Sequence, residues 1–341
     1  HAPRDIDEPV LLLVRFGGGR AFALPVGPTL DPVSLPKFVT PLLVPPVMPK
    51  AATLTQLDGK AIDYYEISMK QLAQQVLPPP LPATTVWGYG AVSAGSRAGR
   101  GLLLHNAPSL TIEAQWNRPV RVKWINDLKD ADGNYLPHLL PVDPTLHWAN
   151  PPGGTAGRDS RPVFASTPGA YTGPVPVVTH VHGAVGVGDE SDGYTEAWYL
   201  PAAANLDSGY ATNGTWYDFF AAKATARFGV TWGPGFATFQ YPNHNRASTL
   251  WYHDHALGVT RLNVYAGPAG FYIVRSDDDA DHPTDAATGE RARLPGPEPG
   301  NGEGPFRERL SGKLLGGAAP GILWNFEKFV VGRNGAVVAR F

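Results

Sequence analysis

Residues 249–261 read TLWYHDHALGVTR, so that His253 and His255 stand one residue apart after an apolar and aromatic run. In a β-strand, residues i and i+2 point to the same face of the sheet and lie about 6.5–7 Å apart along the backbone. The stretch therefore predicts a strand that presents two imidazole rings on one surface.

A second pair with the same spacing lies upstream, where residues 179–183 read THVHG and contain His180 and His182. Two such strands side by side would bring four ring nitrogens to one surface, and imidazole is a ligand for copper, zinc, iron and nickel. One pair alone is more readily explained by burial and hydrogen bonding, whereas two pairs in one chain favour a metal site. Ring nitrogens that bind no metal need hydrogen-bond acceptors, for which Asp192 and Asp254 are candidates by their closeness in sequence.

The composition predicts a β-rich fold with many turns. Of 341 residues, 43% are hydrophobic and only 17% are charged, and Gly (39) and Pro (35) together exceed a fifth of the chain. About eight short strands with long loops between them predict an all-β sandwich or barrel with antiparallel pairing. One strand is predicted at 119–126, where apolar and basic residues alternate, and a short helix at Tyr217–Phe228.

Several classes of function are excluded by composition. The formal net charge is -2, so there is no basic field to recruit nucleic acid or an anionic membrane. No apolar run approaches the roughly 18 residues of a membrane-spanning helix. The chain has no cysteine, which excludes disulfides, thiolate nucleophiles, Cys-ligated zinc and a blue-copper centre within it. No signal-peptide pattern is visible, but processing would remove one, so the compartment stays open.

Composition also divides the chain into four predicted segments. Pro-rich, apolar residues 1–60 predict an extended N-terminal arm with a short strand at residues 10–16, and residues 61–275 hold the β-domain. Residues 276–320 are acidic and then Pro/Gly-rich, as is typical of a linker. Residues 321–341 predict a short β-hairpin tail around an Asn-Gly turn.

In combination, five stretches resemble the multicopper oxidases, in particular the branch of spore-coat laccases, bilirubin oxidases and phenoxazinone synthase. They are LPATTVWGYG (81–90), APSLTIEAQWNRPVRVKWIN (107–126), THVHG (179–183), SDGYTEAWY (191–199) and residues 249–272. The resemblance implies a cupredoxin-like Greek-key β-sandwich, which corresponds to the first of the three domains in the family's full chains. It also implies a bacterial origin, with a cytoplasmic, spore-associated or exported location left open.

The same resemblance implies roles for the histidines. His180 would ligate the type 2 copper of a trinuclear cluster, and His182, His253 and His255 would ligate the type 3 pair. Asp192 matches an acidic, catalytic position that is associated with the solvent channel and proton delivery. In the family, a distant type 1 copper takes electrons from phenols, bilirubin or similar small aromatic reductants, and the trinuclear cluster reduces oxygen to water.

The chain departs from that pattern in its ligand supply. The family's cluster uses four His-x-His pairs, whereas this chain has two, and neither Met48 nor Met69 lies in a type 1 copper motif. The resemblance therefore implies that the missing ligands come from a C-terminal cupredoxin domain or a partner chain. Without that domain, apolar surface around Trp251 and Tyr252 would be exposed, which predicts self-association or a partner chain. Two alternatives remain: a non-catalytic copper-binding or interaction module, and a zinc-dependent hydrolase with Asp192 or Glu196 as its base.

The tail carries a second, shorter resemblance. Residues 322–341 (ILWNFEKFVVGRNGAVVARF) resemble the C-terminus of glutathione peroxidases, and Trp324 and Asn325 match two catalytic positions of that family. The nucleophilic Cys or selenocysteine and the Gln of that family are absent, so a strand hairpin is the favoured interpretation of this segment.

Overall fold

The computed structural model describes residues 30, 31, 33–37, 39, 45–56, 59–92, 105–276, 329–331 and 337–340. Three predicted features therefore lie outside the described residues: the strand at 10–16, nearly all of the linker, and the tail as far as residue 328, with Trp324 and Asn325. The chain forms two compact units, His1–Pro41 and Leu42–Phe341. In the first unit, the Ser34 N–H donates to the Asp31 carbonyl oxygen at 3.1 Å and closes a turn.

Strands dominate the second unit, as the sequence predicts. The described strands are β1 (Ala52–Thr55), β2 (Ala61–Gln74), β3 (Thr84–Ala91), β4 (His105–Asn106), β5 (Ser109–Gln115), β6 (Val120–Asn126), β7 (Trp148–Ala149), β8 (Asp159–Ser160), β9 (Thr179–His182), β10 (Phe236–Tyr241), β11 (Ser248–Asp254), β12 (Ala269–Arg275), β13 (Phe329–Val331) and β14 (Val337–Arg340). The described α-helices are α1 (Gly154–Gly157), α2 (Tyr217–Phe228) and α3 (Thr260–Tyr265).

Two sheets enclose one core, so the expected all-β, cupredoxin-like sandwich is confirmed. The first sheet has the order β10-β6-β2-β3-β4, with β1 also paired to β2, and the second has the order β5-β12-β11-β9. Most strand pairs are antiparallel, as expected, but the pairs β2–β6 and β5–β12 are parallel, so the expectation is wrong for these two. The reason is that the chain passes from β5 to β6 by changing sheet, so that sheet neighbours are not joined by a hairpin.

β6 shows how the sequence pattern produces a half-buried strand. Val120, Val122 and Trp124 are buried, while Arg121 and Lys123 between them are partly exposed. The alternation follows the two-residue period of a strand with one face on the core. The strand predicted at 119–126 is therefore confirmed.

An aromatic cluster joins the two sheets behind the histidine strands. The Tyr252 ring centroid on β11 lies 5.3 Å from those of Tyr89 and Trp124 in the first sheet. The Tyr252 hydroxyl donates to the Leu110 carbonyl oxygen at 2.5 Å, and the Tyr89 hydroxyl lies 3.0 Å from Thr179 Oγ1 on β9. Because such aromatic pairs contribute about 0.5–1.5 kcal/mol beyond simple burial, the cluster holds β9 and β11 firmly against the first sheet.

The predicted helix is present as α2, with Phe220 and Ala224 buried. It ends at Gly229, whose left-handed conformation (φ 64°) lets its N–H donate to the Thr225 carbonyl. No helix in the described ranges has the length and apolar character needed to cross a bilayer.

In the tail, β13 and β14 pair antiparallel, with Phe329 opposite Arg340. The turn that joins them lies outside the described residues. The pairing agrees with a hairpin, and the segment boundaries stay predictions.

His105 on β4 links the stability of the fold to pH. Its Nε2 lies 2.8 Å from the Ser68 hydroxyl, and burial, helped by the Lys70 ammonium, lowers its pKa to about 4. An unfolded histidine has a pKa of about 6.5. Between these values the unfolded chain binds more protons, so stability is present above pH ~6.5 and is lost as pH falls towards ~4.

We therefore expect His105→Gln to reduce the loss of melting temperature on acidification from about pH 7 to about pH 5, because the buried group no longer titrates. Scanning calorimetry of the metal-free protein measures this loss. His244→Gln, which changes an exposed histidine, is the control. A loss in His105→Gln as large as in the wild type would contradict the prediction.

Candidate metal centre

The two histidine pairs lie on neighbouring strands of the second sheet. β9 and β11 are antiparallel, with His253 opposite His180 and Trp251 opposite His182. Because side chains alternate along a strand, these four residues share one face, while Tyr252 between them points into the core. The pairing register thus brings together side chains that are about 70 residues apart in sequence.

His255 extends this face just beyond the end of β11. Its N–H donates to the Val178 carbonyl oxygen at 2.7 Å, which continues the contact between the two strands. Its ring stacks on that of His180, with centroids 4.8 Å apart and an interplanar angle of 27°. All four predicted ligands are therefore neighbours on one surface, which we call the histidine face: His180, His182, His253 and His255.

The ring nitrogens on the histidine face are close enough to share metal ions. One nitrogen from each of His180, His182 and His253 lies within 4.8 Å of the others, and His253 Nε2 lies 3.5 Å from His182 Nδ1. Two nitrogens bound to one ion at about 2.0–2.1 Å are at most about 4.2 Å apart. His182 and His253 are therefore spaced as two ligands of one ion would be.

Main-chain carbonyls set the orientation of three rings. The Nδ1–H groups donate from His180 to Asp192 (2.5 Å), from His253 to Asp254 (2.7 Å) and from His255 to Gly193 (3.0 Å). A carbonyl can only accept, so these rings carry their proton on Nδ1 and keep Nε2 free for a metal. His182 differs, because its Nδ1 is the nitrogen that faces His253.

The carbonyls of Asp192 and Gly193 reach the rings because the chain passes very close to β9. Gly193 has φ 77°, and a Cβ at this position would collide with the Thr179 carbonyl oxygen. The Asp192 carboxylate lies beside the His180 ring, with Oδ1 3.4 Å from Nδ1, and the Asp192 side chain is 51% exposed. Asp192 is thus adjacent to the histidine face, as expected, and its carbonyl makes the shorter contact.

The Asp254 carboxylate does not serve as a ring acceptor, and that interpretation is wrong. It is wholly buried on the opposite side of the strand and accepts from Val178 N (3.0 Å), Ala256 N (3.1 Å) and Asn263 Nδ2 (2.8 Å). Alternation explains this, because Asp254 stands between two residues that face outward. Asn263 was not predicted at all, since a lone Asn in a helix carries no sequence signal.

Burial and neighbouring charges give the rings different proton affinities. Burial and the adjacent imidazoles lower the pKa of His253 to about 4, and burial lowers the pKa of His255. Burial also opposes the charge on His180, but the Asp192 carboxylate and carbonyl outweigh it and raise that pKa. Burial raises the pKa of Asp254 to about 7 in spite of its donors. At neutral pH, His253 and His255 are therefore uncharged and ready to act as ligands.

His138 and His147, which lie outside the two pairs, have partners of their own. His138 lies 3.1 Å from Asn263 Oδ1 through Nε2, and His147 Nε2 lies 3.0 Å from the Asp159 carbonyl oxygen. Trp251, in contrast, belongs to the site, because its ring stacks on His253 with centroids 4.1 Å apart. It covers one side of the histidine face with an apolar surface.

Comparison with known proteins finds relatives for this arrangement. The chain is 34% identical over 244 residues to a laccase from Bacillus stratosphericus and 32% identical to a laccase from Bacillus subtilis, in each case across 71% of this chain and 34% of the relative. A multicopper oxidase LPR1 homolog from Oryza sativa is 34% identical over 200 residues, which is 58% of this chain and 24% of the relative. The chain thus spans about a third or less of the length of these relatives.

No protein-family model matches the chain. Among solved structures, a multicopper oxidase from Campylobacter jejuni aligns with a TM-score of 0.41 and 15% identity, over 76% of this chain and 34% of that one. A multicopper oxidase from Pediococcus acidilactici aligns with a TM-score of 0.40 and 15% identity, over 72% and 32%.

Gly193→Ala should cost more stability than Gly133→Ala. Both positions have positive φ, and a Cβ there costs roughly 1–2 kcal/mol of backbone strain. At Gly133 nothing lies within 4 Å of the added carbon, whereas at Gly193 it meets the Thr179 carbonyl. Urea denaturation of the metal-free variants measures both costs, and equal values would contradict the close approach of residue 193 to β9.

Proposed function

Because the chain belongs to the multicopper oxidase family, of which it covers about one domain, we propose that it supplies half of the ligands of a trinuclear copper site. In this role His180 would bind the type 2 copper, and His182, His253 and His255 would bind the type 3 pair. The observation that carries the proposal is the histidine face, where four imidazoles converge and three are turned by main-chain carbonyls. The whole protein would couple oxygen reduction to the oxidation of phenolic-type donors.

The donor set fits copper. Imidazole nitrogens suit this metal, the 3.5 Å spacing of His182 and His253 suits a shared ion, and two of the four rings have pKa values below the usual range. Metal ligands must be deprotonated, so depressed pKa values favour binding at neutral pH. Copper, when bound, supplies the one-electron chemistry for the reduction of dioxygen to water.

The chain's own residues hold the ligands and handle protons. Trp251 shields His253 from water on one side. Asp192 has a half-exposed carboxylate, with Oδ1 3.4 Å from His180 Nδ1, so this side chain connects the histidine face to solvent. This supports Asp192 as the catalytic, proton-delivering residue of the proposed site.

The remaining ligands would come from a further cupredoxin domain or a partner chain. The chain has no cysteine, so the type 1 copper that receives electrons from a small aromatic reductant would also lie there. The histidine face has the exposure that such a partner requires, since His182 is exposed and Trp251 is 38% exposed. A second copy of this chain is the other candidate for covering it.

Removal of His180 and His182 should weaken copper binding. We expect the wild-type chain to take up copper in preference to zinc, and His180→Ala/His182→Ala to lose most of that uptake, because both imidazoles of β9 are gone. Metal analysis after dialysis against each ion gives the stoichiometry. The control is His147→Ala, which removes an exposed ring outside the face. Unchanged copper stoichiometry in the double variant, or a preference of the wild-type chain for zinc over copper, would contradict the proposal.

The isolated chain should show no appreciable laccase turnover, because only half of the ligand set is present. Oxygen uptake with added copper and a phenolic donor measures this. Addition of a domain that carries two further His-x-His pairs and a type 1 site should restore uptake, and His253→Ala should abolish the restoration. Robust four-electron oxygen reduction by the 341 residues alone would contradict the half-site, and copper binding without restoration would favour a non-catalytic copper module.

A further inference from the structure

The Asp254 carboxylate lies between the two histidine segments and binds both. Its Oδ1 accepts from the Val178 N–H at 3.0 Å, two residues before His180. Its Oδ2 accepts from the Ala256 N–H at 3.1 Å, immediately after His255. One buried side chain therefore touches the backbone that leads into the first pair and the backbone that follows the second.

Asn263 on α3 completes this arrangement. It is fully buried, and its Nδ2 donates both to Asp254 Oδ2 (2.8 Å) and to the Pro176 carbonyl oxygen (3.0 Å). The Pro176 carbonyl can only accept, so the orientation of the amide is determined. Its Oδ1 faces His138 Nε2 at 3.1 Å, and His138 Nδ1 receives the Leu140 N–H at 2.8 Å, which leaves the proton on Nε2. Every polar atom of the Asn263 side chain is thus committed to one position.

The β-ladder alone is a weak means of holding the histidine pairs in register. β9 is four residues long, lies at the edge of its sheet, and pairs with β11 over four residue pairs. A buried carboxyl group is costly unless it is fully hydrogen-bonded, and Asp254 has a backbone donor beside each ligand segment and a side-chain donor on α3. Val178 precedes the first histidine pair and Ala256 follows the second, so the hydrogen bonds from these two residues to Asp254 act directly on the positions of the ligands.

We propose that Asp254 and Asn263 form a clamp, a pair of positioning residues that holds the two His-x-His segments in register in the metal-free chain. The copper site is thereby formed before the metal arrives. Asp254 acts through the backbone beside the two ligand segments, and Asn263 acts through Asp254 and the Pro176 carbonyl. The effect of the clamp on copper binding rests on the proposed function, whereas its effect on the order of the two metal-free segments does not.

The test compares Asn263→Ala and Asp254→Asn with the matched control Asn126→Ala. Asn126 is also buried, and its Nδ2 donates to carbonyls of the same connecting region, Val175 (2.9 Å) and Tyr199 (3.1 Å), without touching Asp254. Asn263→Ala keeps the carboxylate and its two backbone donors, so it serves where Asp254→Asn fails to fold. Circular dichroism confirms folding of each full-length chain.

The first readout is amide hydrogen exchange of the metal-free protein. In the clamp variants we expect faster exchange at both Thr179–His182 and residues 253–256, because each segment loses its anchor. In Asn126→Ala these two segments should exchange at the wild-type rate. Wild-type exchange in the clamp variants, or equal acceleration in the control, would overturn the clamp.

The second readout is copper titration with paramagnetic resonance of the bound Cu(II). We expect copper affinity to fall roughly 10- to 100-fold in the clamp variants, the usual effect of losing groups that orient ligands. The nitrogen hyperfine pattern should show fewer nitrogens bound to copper. The control should keep wild-type affinity and spectrum. Faster exchange without any change in affinity or spectrum would overturn the preformed site. If the clamp variants exchange faster but the wild-type chain takes up no copper, the clamp is retained as a structural device and the proposed copper function is refuted.

Discussion

The register of β9 against β11 is the constraint on which the histidine face depends. Because side chains alternate, a shift of β11 by one residue would turn Trp251 and His253 into the core and bring Tyr252 out to solvent. The Tyr252 ring prevents this slip from the inner side, where it packs on Tyr89 and bonds to the Leu110 carbonyl. Apolar packing on one face and imidazole placement on the other are thus two results of one pairing.

Much of this site could be predicted from the sequence, because its ligands obey a local rule. The two-residue period of a strand places His253 and His255 together, and it likewise joins His180 and His182, before any tertiary contact is known. The same rule predicts the half-buried pattern of β6. The all-β sandwich follows from repeated short strands and frequent turns.

The sequence could not give the contacts that orient the rings, for a physical reason. Main-chain carbonyls hold three imidazoles, and every residue type has a carbonyl, so no residue identity marks the acceptor. The His255 ring donates to the Gly193 carbonyl oxygen, 62 residues away. The sign of this close approach in the sequence is that residue 193 is a glycine. Asp254 could be ranked as an acceptor from its position, but the strand's alternation turns its carboxylate to the buried side. The parallel pairs β2–β6 and β5–β12 could not be predicted, because the chain crosses to the other sheet between the two strands of each pair.

The proton affinities divide the histidine face into two unlike edges. At one edge, the half-exposed Asp192 carboxylate raises the pKa of His180 and lies in contact with water. At the other, burial lowers the pKa of His253 to about 4, and Trp251 stacks on the ring. His180 therefore holds a proton more readily than an ordinary histidine does, whereas His253 stays neutral at neutral pH. In the proposed copper site, a domain that completes the ligand set would bury the most apolar surface by covering the Trp251 edge, where apolar surface is exposed. The Asp192 edge must remain open to solvent, because oxygen reduction to water consumes protons that the buried edge cannot supply.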